Sequence, residues 1–140
     1  MRLPISAVKK LLITIYFLTL LPSSINAEDQ KKDKVLKITT KSSAASISLA
    51  KHLTKKGVKK YSAYWCPSCL YQSQLFGKEA YSKLTVIECA QDGKNSQTQL
   101  CNDKNIKGFP SWEINGEIFI GVQTLNELAK SSKYKGSTDF

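Results

Sequence analysis

The chain has 140 residues and a formal net charge of +10, yet it contains a single arginine, Arg2. Arginine provides most of the bidentate contacts to phosphates and bases, so this charge does not indicate nucleic-acid binding, and we expect no nucleic-acid partner. We interpret the lysines as a solvated surface with a weak preference for anionic membranes. They fall in scattered pairs: Lys31-Lys32, Lys55-Lys56 and Lys59-Lys60.

Residues 1–27 have the pattern of a targeting segment. Basic side chains precede the apolar run Leu11–Leu21, which is shorter than the roughly 20 residues of a membrane-spanning helix. The pattern predicts a signal peptide cleaved after Ala27, with an uncleaved membrane anchor as the alternative. Either way we expect export to an oxidising compartment, bacterial periplasm or thylakoid lumen. The remaining 18 basic and 11 acidic side chains give a net charge of +7 on one domain of about 113 residues.

The predicted domain begins with a leader and a helix. Residues 28–41 form a charged leader with a short edge strand at Val35–Thr39. A helical pattern begins at Ser42 or Ser43 and ends at Gly57, a residue that favours helix C-termini. Its apolar positions share one stripe, which we expect to face the core: Ala45, Leu49, Ala50 and Leu53. The domain proper is predicted to span residues 42–130.

A Cys-x-x-Cys motif follows a predicted strand, Lys59–Tyr64, and opens a second helix. Cys66 and Cys69 are one helical turn apart, within the distance that a disulfide requires. Cys66 lies at the N-terminal edge of the helix, where backbone N–H groups favour an anion, so we expect a stabilised thiolate there. Cys69 is expected to be more buried and to act as the resolving thiol. Trp65 is expected to shield the Cys66 sulfur.

Two other interpretations of the motif stay open. A zinc site needs two further ligands, for which the candidates are Cys89, Cys101 and His52, and the sequence has no second Cys-x-x-Cys. The second interpretation is a purely structural disulfide between Cys66 and Cys69, although closing so short a loop stabilises the fold only slightly. We expect His52, the only histidine, to be a partly exposed residue on the helix surface.

The helix after the motif is expected to bend at Gly77. The β-branched run Leu84–Cys89 predicts a strand parallel to the first, because a helix lies between them. A polar loop then leads to a short helix that Ser96 caps and that contains Cys101.

The C-terminal third contains a hairpin signal. Asn115-Gly116 predicts a two-residue turn that joins the antiparallel strands Ser111–Ile114 and Glu117–Ile120. Thr124 is predicted to cap a last helix whose apolar face contains Leu125, Leu128 and Ala129. Residues 131–140 are predicted to be a tail.

The order of strand, Cys-x-x-Cys helix, strand, helix, Gly-Phe-Pro, hairpin and helix resembles the thioredoxin superfamily. From about Val58 to Lys130 the motifs are similar to those of the thioredoxin-like domain fused to bacterial homologues of vitamin K epoxide reductase. They are Trp65-Cys66-Pro67-Ser68-Cys69, Leu75-Phe76-Gly77-Lys78-Glu79-Ala80, Glu88-Cys89 and Gly108-Phe109-Pro110-Ser111-Trp112-Glu113-Ile114-Asn115-Gly116. The resemblance implies an α/β thioredoxin-like fold, with a central mixed sheet flanked by helices.

The resemblance also implies a site and an activity. Pro110 is expected to be a cis-proline beside Cys66, where Trp65 and the Phe109 backbone contact an extended substrate peptide. The catalytic thiols Cys66 and Cys69 exchange disulfides with substrate proteins through a mixed disulfide. In such domains the dithiol passes electrons from substrate thiols to a membrane quinone reductase. No cofactor or metal is expected.

The sequence departs from this family in two ways. It contains no multi-helix membrane domain, so we expect any quinone-linked partner to be a separate protein. Ser68 stands where relatives often have histidine, which predicts a less oxidising pair. Reductase or isomerase activity, and a non-enzymatic peptide-binding module, therefore remain alternatives.

Four cysteines allow three pairings. A second disulfide between Cys89 and Cys101 is favoured because it joins a strand end to the following helix across a polar loop, and the resemblance favours it too. The alternatives are two buried free thiols, or a redox relay from Cys66 and Cys69 to this second pair.

Overall fold

The computed structural model describes residues 37–140. The predicted targeting segment, residues 1–27, and the first part of the leader lie outside the described residues. The helices of the described part are α1 (Ala44–Lys55), α2 (Pro67–Phe76), α3 (Lys78–Tyr81), α4 (Thr98–Asp103) and α5 (Leu125–Ser131). The strands are β1 (Lys59–Ser62), β2 (Thr85–Glu88), β3 (Ser111–Ile114) and β4 (Glu117–Ile120). Within residues 37–140 no helix is long and apolar enough to cross a membrane.

The four strands form one mixed sheet in the order β2-β1-β3-β4. Strand β1 pairs with β2 in parallel, with Tyr61 opposite Ile87, and with β3 in antiparallel, with Lys60 opposite Trp112. The parallel pair confirms the prediction made from the intervening helix. The sheet is flanked by helices, and the fold is α/β and thioredoxin-like.

The β3–β4 hairpin has the predicted bounds. Asn115 and Gly116 both have positive φ, 52° and 86°, as the two central residues of a type I′ turn require. Strands β3 and β4 pair in antiparallel, with Trp112 opposite Phe119. The short turn therefore fixes the register of the sheet edge.

The main core lies where α1, α5 and the end of α2 meet the sheet. It includes Leu49, Ala50 and Leu53 of the predicted α1 stripe and the predicted inner face of α5, all buried, while Ala45 is buried outside this cluster. Ser43 caps α1 by accepting a hydrogen bond from the Ser46 N–H at 2.9 Å, and Thr124 caps α5 in a capping box with Glu127. The largest buried side chains of this cluster are Trp112, Phe76, Leu49, Leu53 and Leu128.

Gly77 separates α2 from α3, as predicted. Its φ of 78° and ψ of 166° belong to a backbone region that is open essentially to glycine alone. A Cβ atom at Gly77 would lie 2.5 Å from the Lys41 carbonyl carbon. The glycine thus lets residues 41–42 cross closely over the break between the helices.

The predicted edge strand Val35–Thr39 is wrong over its described part, because residues 37–39 are not in a strand. The Gln74 side chain of α2 binds this backbone instead. Gln74 Oε1 accepts from the N–H groups of Thr39 (2.9 Å) and Thr40 (3.1 Å), and Gln74 Nε2 donates to Lys37 O at 3.1 Å. These backbone groups are thereby satisfied without a neighbouring strand.

Two terminal assignments also differ from the prediction. The N-cap of α4 is Gln97, whereas the prediction was Ser96. The Ser96 hydroxyl is instead hydrogen-bonded to the Thr98 hydroxyl at 2.7 Å. Residues 131–140 were predicted to be a tail, but α5 ends within them, and Tyr134 and Phe140 pack against the main core.

His52 lies at the edge of the α1 stripe and is half-buried, as predicted. Its Nε2 atom is 2.9 Å from the Ser132 carbonyl oxygen, and its ring meets the Tyr134 ring edge-on at 5.2 Å. The histidine therefore joins α1 to the C-terminal segment.

Candidate active site

The Cys-x-x-Cys pair lies where β1 delivers the chain to α2. Cys66 is the N-cap of α2 and Pro67 is its first residue, a position where the missing N–H of proline costs the helix nothing. The Cys69 N–H donates to the Cys66 sulfur at 3.1 Å. Both thiols are free, and Cys66 and Cys69 are 6% and 3% exposed. The geometry therefore presents two adjacent, reduced sulfurs on the first turn of one helix.

The expected stabilisation of the Cys66 thiolate is wrong in its net direction. Burial raises the pKa of Cys66 the most and the hydrogen bond with the Cys69 thiol also raises it, so that the pKa lies at about 11 instead of 9.0. The Cys69 backbone N–H and the Lys60 charge lower the Cys66 pKa, but by less. Cys66 lies at the start of the helix, as predicted, but the loss of water around its sulfur raises the pKa by more than the helix backbone lowers it.

Two aromatic rings lie beside the pair. Trp65 is 47% exposed, and its ring meets the Phe109 ring edge-on with centroids 6.3 Å apart. Phe109 also packs against the buried cluster that contains Cys66 and Cys69. The Phe109–Pro110 peptide bond is cis, as the resemblance implies. The structure thus brings Trp65 and Phe109 together near the thiols, and their contact with substrate stays a prediction.

The residues around the cysteine pair differ in how far they are exposed to solvent. Trp65 faces solvent over almost half of its surface, whereas Pro110 is fully buried and immediately precedes strand β3. The Pro110 carbonyl oxygen accepts a hydrogen bond from the Gly121 N–H at 2.7 Å. The exposed part of the site is therefore the Trp65 ring, which the Phe109 ring contacts.

A cavity of about 210 Å³ lies behind the thiols. It is lined by both cysteines and by polar side chains of β1, β2, α2 and α3, namely Ser62, Glu88, Ser73 and Tyr81. Glu88 Oε1 accepts from the Ala90 N–H at 2.8 Å and from the Tyr64 N–H at 3.4 Å. The carboxylate is therefore held in the wall of the cavity by the backbone around β2 and the end of β1.

Lys60 is the functional candidate that the sequence interpretation missed. It was assigned with Lys59 to a solvated surface, which is wrong, because Lys60 is 0% exposed. Side chains alternate along a strand, so Lys59 and Tyr61 lie on one face of β1 while Lys60 and Ser62 lie on the other. The central place of β1 in the sheet was the available signal, since both faces of such a strand are covered.

Cys89 and Cys101 form a disulfide with an S–S distance of 2.03 Å, the pairing that the resemblance implies. They belong to a cluster with Tyr61 and Ile87, whereas the free thiols belong to another. Because both sulfurs are bonded to each other, neither is available as a thiolate ligand for zinc. Within residues 37–140 no group of three or more metal-binding side chains is present.

Comparison with known proteins finds similarity to a thiol-disulfide oxidoreductase. No protein-family model matches the sequence. Over 100 residues the chain is 42% identical to the thiol-disulfide oxidoreductase LTO1 of Arabidopsis thaliana. The match covers 69% of this chain and 27% of LTO1, so the chain spans about a quarter of the length of this relative.

Proposed function

We propose that the protein is an exported thiol–disulfide oxidoreductase that acts on substrate proteins through Cys66 and Cys69. The observation that carries this proposal is the free cysteine pair on the first turn of α2, beside the exposed ring of Trp65. The similarity to LTO1 supports it, because that relative is named for thiol–disulfide exchange.

The exchange proceeds through a mixed disulfide on Cys66, the cysteine at the helix edge. When the pair is oxidised, a substrate thiolate attacks the Cys66 sulfur and Cys69 leaves as a thiolate. A second substrate thiol then displaces Cys66, so the substrate gains a disulfide and the pair gains two electrons. The reverse sequence reduces a substrate disulfide and oxidises the pair.

For the net direction we propose oxidation of substrate thiols. The electrons then pass from the reduced pair to a separate membrane quinone reductase of the vitamin K epoxide reductase type. The support for this direction is the run of motifs around Cys66, Phe76 and Pro110, which is similar to the domain fused to such reductases.

Replacement of the resolving thiol tests the exchange itself. The Cys69→Ala variant of the full chain should accumulate mixed disulfides with substrate proteins, because nothing resolves the adduct on Cys66. These appear as high-molecular-weight bands on non-reducing gels that collapse with dithiothreitol. Cys66→Ala is the matched control and should trap far less. Equal trapping by the two variants, or none by either, contradicts the proposal and favours a non-enzymatic binding module.

A specific observation favours reductase or isomerase activity as the second candidate. The Cys66 pKa is raised to about 11, chiefly by burial, so the reduced pair gains little from thiolate formation at neutral pH. Strongly oxidising pairs are those whose reduced form is stabilised. A protonated Cys66 therefore makes the disulfide state comparatively stable.

The reduction potential of the Cys66/Cys69 pair separates these two directions. The full chain is equilibrated with glutathione or dithiothreitol buffers, the free thiols are alkylated, and the two states are measured by mass. A value between about −120 and −200 mV, the range of known oxidants and isomerases, supports an oxidising role. A value near about −270 mV or below matches thioredoxin-like reductants and contradicts net oxidation.

A further inference from the structure

Lys60 brings an ammonium group into the protein interior directly behind the cysteine pair. Its side chain is fully buried, and Nζ donates to the Cys69 carbonyl oxygen at 3.1 Å. Nζ also donates to the Ser73 hydroxyl at 3.2 Å and to the Tyr81 hydroxyl at 3.3 Å. An ammonium group has three N–H donors, so these three acceptors satisfy its hydrogen bonds. The Tyr81 ring lies 4.7 Å from Nζ.

The three hydrogen-bond acceptors around the Lys60 ammonium are all uncharged groups. In the part of the chain that the structure describes, the lysines in ion pairs within 4.0 Å are Lys59 and Lys104, both with Glu113. No carboxylate within residues 37–140 makes such a pair with Lys60. A buried cation is costly unless something compensates it, and a hydrogen-bonded cation with no carboxylate in direct contact favours any negative charge that forms nearby.

The groups that can carry that negative charge face Lys60 from three elements. They are Cys66 and Cys69 at the start of α2, Tyr81 of α3 and Glu88 of β2. Burial lowers the pKa of Lys60, and negative charge on Cys69, Cys66 or Glu88 raises it by less, with Cys69 the strongest. With both thiols free, the Lys60 pKa falls from 10.5 to about 8. Burial raises the pKa of Tyr81, which therefore stays neutral as the solution becomes mildly alkaline.

We propose that Lys60 is a positioning residue of the redox pair, which stabilises the thiolate of Cys69 while the Cys66–Cys69 disulfide opens and closes. This inference rests on the proposed thiol–disulfide exchange and holds for either net direction. Cys69 is the leaving group in the step that reduces the pair, and it is the nucleophile in the step that oxidises the pair. The same cation serves both steps, because one is the reverse of the other.

The opening step defines what Lys60 does. An external thiolate attacks the Cys66 sulfur, a new S–S bond forms, and the Cys66–Cys69 bond breaks. The electron pair of the broken bond leaves on Cys69, whose thiolate lies in the field of the Lys60 ammonium until it takes a proton from solvent. The incoming sulfur is oxidised and the Cys69 sulfur is reduced, so the charges and electrons balance. In the closing step Cys69 loses that proton and attacks the mixed disulfide.

The test measures how fast glutathione opens the disulfide in the oxidised full chain between pH 6 and 10. Rates are divided by the fraction of glutathione that is thiolate at each pH, so that they report the protein alone. Lys60→Met should be several-fold slower than wild type at pH 6, because one unit in the pKa of a thiol changes the rate of exchange by less than tenfold. The difference should shrink as the pH rises from 6 to above 8, because wild-type Lys60 loses its charge at or below about pH 8 once the disulfide removes the thiolate charges that raise its pKa.

Two variants separate a charge effect from a structural one. Lys59→Met removes the neighbouring cation, which is paired with Glu113, and should react like wild type at every pH. Lys60→Arg keeps a permanent cation, so its rate should not fall between pH 8 and 10. If Lys60→Met does not fold, the wild-type rate should still fall as the pH rises from 6 to above 8, while that of Lys60→Arg stays level.

The outcomes distinguish this proposal from the proposed function. A Lys60→Met rate equal to wild type, or a ratio of the two rates that does not change with pH, overturns the role of Lys60 while leaving thiol exchange intact. A wild-type disulfide that glutathione does not open, together with no trapping by Cys69→Ala, overturns the exchange and with it the role of Lys60.

Discussion

The Gln72 side chain pairs with the backbone of Gln123 in both directions. Gln72 Nε2 donates to the Gln123 carbonyl oxygen at 2.9 Å, and Gln72 Oε1 accepts from the Gln123 N–H at 2.7 Å. The same oxygen accepts from Trp112 Nε1 at 3.2 Å. Gln72 is fully buried, so one amide joins the helix of the cysteine pair to strand β3 and to the segment after β4.

We expect Gln72→Leu to destabilise the fold by about 3 kcal/mol, because it leaves several buried polar groups of Gln123 and Trp112 unpaired, at about 1–3 kcal/mol each. The free energy of unfolding in urea measures this loss. Gln99→Leu is the matched control, since Gln99 is exposed on α4, and it should change stability by less than about 0.5 kcal/mol. Similar losses in both variants contradict the role assigned to Gln72.

Gly77 should tolerate alanine far less well than Gly57. Both have positive φ, 78° and 73°, but a Cβ atom at Gly57 would meet nothing within 4 Å, whereas at Gly77 it meets the Lys41 backbone at 2.5 Å. We expect Gly57→Ala to cost about 1–2 kcal/mol, the penalty of a left-handed residue, and Gly77→Ala to cost about 3 kcal/mol or more. Thermal unfolding of both variants measures the difference, and equal costs would show that the close approach of residues 41–42 carries no energy.

Glu113 makes the fold sensitive to acid. Burial raises the pKa of Glu113. Hydrogen bonds from Lys104 Nζ (2.6 Å) and from the Tyr61 hydroxyl (2.7 Å), together with the charge of Lys59, lower it by more, so that the pKa falls from 4.5 to about 2. A pKa that is lower in the folded state stabilises the fold above the unfolded value, and that contribution is lost as pH falls from about 4.5 to about 2.

Glu113→Gln should therefore destabilise the protein by about 2 kcal/mol at pH 7, where the carboxylate is fully ionised. It should also flatten the fall in stability below pH 4.5. Urea unfolding between pH 2 and 7 measures both effects. Glu117→Gln removes an exposed carboxylate from β4 and should leave the wild-type profile unchanged. A wild-type profile for Glu113→Gln would contradict the assignment.

Local chemistry made much of this fold predictable. The Asn115-Gly116 pair requires positive φ at both residues, so the hairpin followed from two letters of the sequence. The bend at Gly77 and the cap at Thr124 likewise depend on one residue and its immediate neighbours. Each of these features is decided within a few positions along the chain, and each lies where it was expected.

The features that sequence interpretation missed depend on tertiary packing. A lysine normally keeps its charge in water, so the burial of Lys60 becomes visible only when α2 and α3 cover that face of β1. The raised pKa of Cys66 likewise depends on how much water the folded chain removes from its sulfur. Residues 37–39 of the strand expected at Val35–Thr39 are bound instead by Gln74, a side chain more than 30 positions away.

The Cys89–Cys101 disulfide should stabilise the fold without taking part in exchange. It joins residues 12 positions apart, for which the loss of chain entropy in the unfolded state predicts about 3 kcal/mol. Replacement of both residues by alanine should lower the free energy of unfolding by that amount. The same double substitution in the Cys69→Ala background should leave the trapping of substrates on Cys66 unchanged. Loss of trapping in a variant that remains folded would instead indicate a relay between the two cysteine pairs.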